Sequence, residues 1–242
     1  MFYNELDLLD IRLHELYDTV DRFVLCESLM THSGAPKNLV YADNKSKFED
    51  FNDKIIHIVV DELKGKKSGQ REEYHRQQIM RGLEGCTDTD IIIFGDADEI
   101  AKKEVCVRHP KIVRLGMDFY YYYFNTKING GWKKTRKAPY RMIKNVKLSN
   151  IRANNGFDVI PNAGWHFSFI GGVDNIRDKM IHFKHGKMYS KDVEKKLEAR
   201  FAALEDPYGR DQTMRLIKPE ETLPEYIYKN LDKFDKYIRR GY

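Results

Sequence analysis

The run Asp90–Ile100, DIIIFGDADEI, restricts this chain more than any other stretch. Ile91, Ile92, Ile93 and Phe94 are continuously apolar, the pattern of a strand covered on both faces, and the run stops at Gly95 before a set of carboxylates. Acids ejected from the end of such a strand lie where open α/β sheets bind ligands, outside the carboxyl ends of their strands. Asp96 and Asp98 are separated only by Ala97, so two carboxylates can converge on one hard cation and leave room for a ligand. With Glu99 beside them they repel one another unless a cation neutralises them. A D-x-D alone also suits a solvated turn; the buried strand in front separates this one from that reading.

The preceding residues read as the rest of a layered domain. Phe2 and Tyr3 resemble the tail of a short first strand, and Asn4 suits a helix N-cap. Leu6, Leu9, Leu13, Leu16, Tyr17 and Val20 recur at spacings of three and four, which predicts an amphipathic helix. RFVLCES and KIIHIVV read as further strands, and REEYHRQQIMRGLEG as a helix ended by Gly85. This alternation predicts a doubly wound parallel sheet over the first half of the chain. Glu27 then falls at the strand edge that carries Asp96. Arg71 and Arg76, on the predicted helix, are either surface residues or cations for a diphosphate.

The second half changes character. KIVRLGMDFYYYYFN is strand-like and aromatic, and Trp132–Lys147 is basic, so an aromatic acceptor wall and a tyrosine-rich sheet face are both compatible with the pattern. PNAGWHFSFIGGVD, rich in glycine, places His166 between two aromatic residues. His182 and His185 share a face only if their segment is helical. Lys191–Leu204 and the stripe Ile227, Leu231, Phe234 and Ile238 predict two further amphipathic helices.

Composition limits the function classes. A net charge of +5 spread along the chain suits phosphorylated small molecules and gives no reason to expect nucleic acid. No apolar run is long enough to cross a bilayer, and the first residues lack a basic-then-apolar leader, so a cytoplasmic location is expected. The three cysteines have no metal-type spacing and read as reduced thiols.

Five ordered motifs, NELDLLDIRLHELYD, FVLCES, REEYHRQQIMRGL, FGDADEI and GWHFSFIGG, resemble glycosyltransferase family 17. The resemblance runs from about Asn4 to His185. It implies an α/β fold of the GT-A type, with a Rossmann-like, mostly parallel central sheet, flanking helices and a C-terminal acceptor-side region. It also implies a UDP-sugar donor, a glycan acceptor, Mn²⁺ or Mg²⁺, and inversion at the anomeric carbon. The chain then reads as one domain, 1–242, with a nucleotide-sugar half at 1–110, an acceptor side at 111–190 and C-terminal helices at 191–242. Animal members carry an anchor and stem not seen here, so a soluble bacterial or viral version is expected.

Roles follow as expectations from that resemblance and the needs of transfer chemistry, which requires a cation for the departing diphosphate and a base for the acceptor hydroxyl. Asp98 is expected to bind the metal directly, with Asp96 on the ribose and a metal-bound water and His185 as the third ligand; His182 is the alternative. Arg71 and Arg76 would hold the diphosphate or orient the acids, and Glu27 would contact the uridine. The base is Glu99 or Asp174, with Glu99 alternatively orienting its neighbours. Trp165 and His166 are assigned to the sugar or acceptor pocket. Two rival readings are a sugar-phosphate nucleotidyltransferase, whose glycine-rich phosphate loop is missing, and a non-catalytic glycan- or nucleic-acid-binding module stacking bases on Tyr120–Tyr140.

Overall fold

The computed structural model describes residues 1–182, 188–219 and 222–241. Helix α1 (Leu6–Leu16) lies between two cores because its apolar residues occupy more than one stripe. Leu9, Leu13 and Leu16 pack with Phe2, Phe23, Tyr41, Phe48 and Phe51. Leu8 and Ile11 turn instead toward Ile100, Tyr120, Phe124, Trp165 and Phe167. Glu5, rather than Asn4, is the residue at the N-cap; its side chain accepts hydrogen bonds from the backbone N–H groups of Tyr3 (2.9 Å) and Asn4 (3.2 Å).

Strands β1 (Phe23–Ser28) and β2 (Ile55–Val60) pair in parallel, Cys26 opposite Ile58. The segment between them, polar in sequence, holds the short helix α2 (Val40–Asp43) and a 3₁₀ turn that bury Tyr41, Phe48 and Phe51. Helix α3 (Ser68–Gln78) runs into a 3₁₀ turn at Ile79–Leu83 and leads to β3 (Ile91–Phe94). Met1 and Phe2 bridge the two strand groups: Phe2 N–H donates to Cys26 O, and Met1 O accepts from Ala97 N–H, 3.0 and 2.9 Å. The first strand expected from Phe2 and Tyr3 is thus a two-residue strip.

The mostly parallel sheet is not what the structure contains. β4 (Glu99–Ala101) is followed by β5 (Val113–Leu115), β6 (Met117–Tyr121), β7 (Thr126–Trp132) and β8 (Arg136–Pro139). β3 pairs antiparallel with β8, in a four-stranded sheet ordered β3-β8-β5 and then β9 (Val159–Ile160). Ile91, Ile92 and Ile93 are partly exposed rather than covered on both faces. A single-sequence pattern reports an apolar strand but not the direction of its partner, and here the partner comes from the later half of the chain. Helix α4 (Leu148–Ala153) packs near α3. The result is a mixed α/β molecule with several sheets and flanking helices.

The remaining sheet builds the site. β10 (Gly164–Ser168) lies between β6, in parallel, and β4, antiparallel, with His166 opposite Glu99 and Trp165 opposite Ile100. Gly164 permits this pairing, because a Cβ there would collide with the carbonyl of Ile100. Helix α5 (Gly172–His182) follows directly, burying Ile176 and Met180. His182 is the last residue of that helix, and His185, its expected companion, lies outside the described residues. Helix α6 (Lys191–Ala203) matches its expected span; Leu204 closes it in the left-handed conformation. Beyond β11 (Met214–Leu216), the single expected C-terminal helix is divided at Asn230 into α7 (Glu225–Lys229) and α8 (Leu231–Phe234).

Candidate active site

Gly95 begins the turn that places the acids. A Cβ at Gly95 would collide with the carboxylate of Glu99, which folds back beneath the turn. Glu99 is fully buried; Thr135 Oγ1 donates to it at 2.6 Å and Arg152 donates to both of its oxygens, through Nη1 at 2.9 Å and through Nη2. Arg152 also donates to Asp96 Oδ2 (2.7 Å), while Arg76, itself buried, donates to Asp96 Oδ1 (2.9 Å) and to Glu72 (2.8 Å). Burial alone would raise the Asp96 carboxyl, but Arg152 and Arg76 hold it well below the usual carboxylate range. Asp96 and Glu99 are thus an ion-paired pair on a shared arginine.

Asp98 faces the other way. Its Oδ2 accepts from Lys179 Nζ at 2.7 Å and its Oδ1 lies 3.5 Å from His166 Nε2. Burial opposes ionisation of Asp98, yet Lys179 and His166 keep its carboxyl below the ordinary 3.8. His166 is sandwiched by aromatic rings, stacked on Phe119 at 4.5 Å and beside Trp132 at 4.3 Å between ring centroids. Its Nδ1 is buried with no hydrogen-bond partner among the described residues. Asp98, Glu99 and His166 each offer a ligand atom within 4.8 Å of the others. Two carboxylates and an imidazole form a donor set that suits Mn²⁺, with His166 turning Nε2 toward Asp98 and Glu99 held on both oxygens by Arg152 and Thr135.

Asp96, Asp98, His166 and Lys179 line a cavity of about 170 Å³ together with Tyr3, Met30, His32 and Lys37. His32 and His75 form a buried pair, Nε2 to Nδ1 at 3.2 Å, and burial lowers His32 to about 4 and His75 well below its ordinary value. Both rings are neutral near pH 7.

The other expected residues fall in several places. Glu27 is fully buried below the cavity, where it meets Lys37 Nζ at 3.4 Å, His57 Nε2 at 3.2 Å and the backbone N–H of Tyr41 at 3.2 Å. Arg71 donates to the carbonyls of His32, Ser33 and Gly65 at 2.7, 2.9 and 2.9 Å, fixing the loop that carries His32. Trp165 points away from the cavity: strand alternation puts His166 and Ser168 toward it and Trp165 into the opposite core, where its indole donates to Thr222 O. The indole on the cavity wall belongs to Trp132. Asp174 has a side chain 97% exposed and pairs with Arg177 in the first turn of α5, not with the acids.

Sequence reading missed Arg152, Lys179 and His32, and carried Trp132 only within the Trp132–Lys147 stretch read as an acceptor wall or a sheet face. Arg152 and Lys179 lie 53 or more positions from the acids they bind, and no local periodicity links them. The four-residue spacing of Ile176 and Met180 was the available signal that Lys179 belongs to a helix.

The sequence profile described as Glycosyltransferase family 17 matches residues 1–201. Proteins described as β-1,4-mannosyl-glycoprotein 4-β-N-acetylglucosaminyltransferase align with 99% of this chain: the human protein at 34% identity over 54% of its own length, and the rat protein at 24% over 53%. The chain therefore spans about half the length of the curated relatives it matches. No solved structure matches it. No helix among the described residues is long and apolar enough to cross a membrane. With its profile match covering most of the chain and the family's ordered motifs gathered around one cavity, this protein belongs to glycosyltransferase family 17.

Proposed function

We propose that this chain transfers a sugar, N-acetylglucosamine by analogy with its relatives' names, from a UDP-sugar to a glycan acceptor, with inversion and with Mn²⁺ or Mg²⁺ bound. The observation that carries the reading is the meeting of Asp98 and His166 on the lining of a cavity, with a Glu99 carboxylate oxygen within 4.8 Å of both ligand atoms, in a chain of this family. The parallel pair β1 and β2, joined through Met1 and Phe2 to the Gly95–Ala97 turn that carries the acids after β3, supports a GT-A type donor half.

Asp98 and His166 would hold the cation, and Glu99 would complete or orient that set while Arg152 and Thr135 fix it. The cation, when bound, supplies positive charge to the departing diphosphate. Asp96, oriented by Arg76 and Arg152, is placed to accept hydrogen bonds from the ribose. Glu27 acts through Lys37, which reaches the cavity wall, and Arg71 shapes the loop bearing His32 rather than touching the ligand. Trp132 replaces Trp165 as the aromatic surface for the sugar.

The test is incubation with UDP-N-acetylglucosamine, Mn²⁺ and an N-glycan exposing its core β-linked mannose, followed by mass spectrometry. Addition of one N-acetylhexosamine, lost on chelation, is the expected result. No product with this donor, together with product from another nucleotide sugar, overturns the sugar assignment; product undiminished by chelation overturns the metal.

A further inference from the structure

The acids of the cavity are already neutralised by the protein's own cations. Arg76 and Arg152 serve Asp96 and Glu99, and Lys179 Nζ sits 2.7 Å from the Oδ2 of Asp98. A second cation cannot join that oxygen while the ammonium stays, because two positive charges at contact distance in a poorly solvated pocket repel strongly. Lys179 has somewhere to go: Glu5 Oε1 is 3.8 Å from the same Nζ, and both Glu5 and Lys179 line the cavity. Glu5 is held from behind by the N–H groups of Tyr3 and Asn4 on its other oxygen, so it is a fixed alternative anchor. Lys179 also separates this cavity from a larger one of about 680 Å³, which Glu5 and Lys179 line from its other side.

We infer that Lys179 is a resident counterion that a divalent cation displaces from Asp98 onto Glu5, so that the metal site is latent until the metal arrives with its donor. The inference rests on the proposed donor-site reading and concerns this chain's own side chains. It makes Lys179 a positioning residue: its ammonium competes with the metal at Asp98 and, once moved, takes its charge to Glu5.

Two variants separate this from a structural role by the sign of their effect. Mn²⁺ affinity, read by the loss of free Mn²⁺ electron paramagnetic resonance signal without donor, is expected to rise at least about tenfold in Lys179→Met, since a competing cation is gone. Glu5→Gln, which keeps an oxygen for the backbone N–H groups but removes the alternative anchor, is expected to weaken Mn²⁺ binding. A merely structural lysine would weaken binding in both. Lys179→Met binding Mn²⁺ no better than the unmodified protein overturns the displacement. If neither that variant nor the unmodified protein depletes free Mn²⁺, with or without UDP, the metal-site reading itself fails, and the two failures are told apart by whether Mn²⁺ binds at all.

Discussion

Arg152 is the residue on which two acids depend. It binds both oxygens of the fully buried Glu99 and one oxygen of Asp96 from a short helix distant in sequence. Arg152→Met removes the cation and leaves a buried carboxylate with only Thr135, which is expected to cost about 3–5 kcal/mol, the range for breaking one side of a buried ion pair. Urea unfolding checks it; a loss below about 1 kcal/mol, the range of an exposed pair, contradicts the arrangement. The acids also predict a pH dependence. Asp98 titrates below its ordinary 3.8 when folded, so the unfolded chain binds more protons below that value and stability falls as pH drops through it. His32, lowered to about 4 by burial from 6.5, adds a second loss between those two values, because only the unfolded ring charges there. Unfolding free energy measured across pH 7 to 4 is therefore expected to decline, and His32→Asn to flatten that slope. The acids were legible in sequence as a strand terminus with crowded charge. Their cations were not, because an arginine or lysine carries no local mark of the carboxylate it will meet after folding.

At the scale of elements, β10 shows what alternation decides and what sequence leaves open. His166 faces the cavity and Trp165 the opposite core, a consequence of period two that becomes usable only once the segment is known to be a strand. Its glycines suggested irregular backbone, yet Gly164 serves a regular pairing too tight for a Cβ. Trp165→Phe keeps most of the apolar contact and leaves Thr222 O without its donor, so a loss of about 1–3 kcal/mol in stability is expected with donor affinity unchanged. His166→Ala should do the reverse, reducing Mn²⁺ affinity with a smaller effect on stability. Calorimetric unfolding and Mn²⁺ titration of both variants check the pair; a donor-binding defect in Trp165→Phe contradicts the assigned faces. Helices α1 and α6 were legible because each has a sustained apolar stripe; α5 was obscured by its two leading glycines. The parallel sheet expected around β3 failed because β8 supplies an antiparallel partner from beyond the acids.

For the whole molecule, α1 joins the early and late halves by burying different faces in different cores, and the site forms where those halves meet. Asp96 and Asp98 follow β3, Arg76 comes from α3, Arg152 from α4, His166 from β10 and Lys179 from α5, so the cavity exists only in the folded chain. A ligand that binds this cavity must therefore stabilise the native state, by about 2.7 kcal/mol at a hundred times its dissociation constant. Donor binding at Asp98 is tested by the thermal midpoint with a panel of nucleotide sugars, with and without Mn²⁺, for the unmodified protein and for Asp98→Asn. A rise with UDP-N-acetylglucosamine that requires Mn²⁺ and is lost in Asp98→Asn is expected. No rise with any nucleotide sugar, or an equal metal-dependent rise in Asp98→Asn, would contradict it.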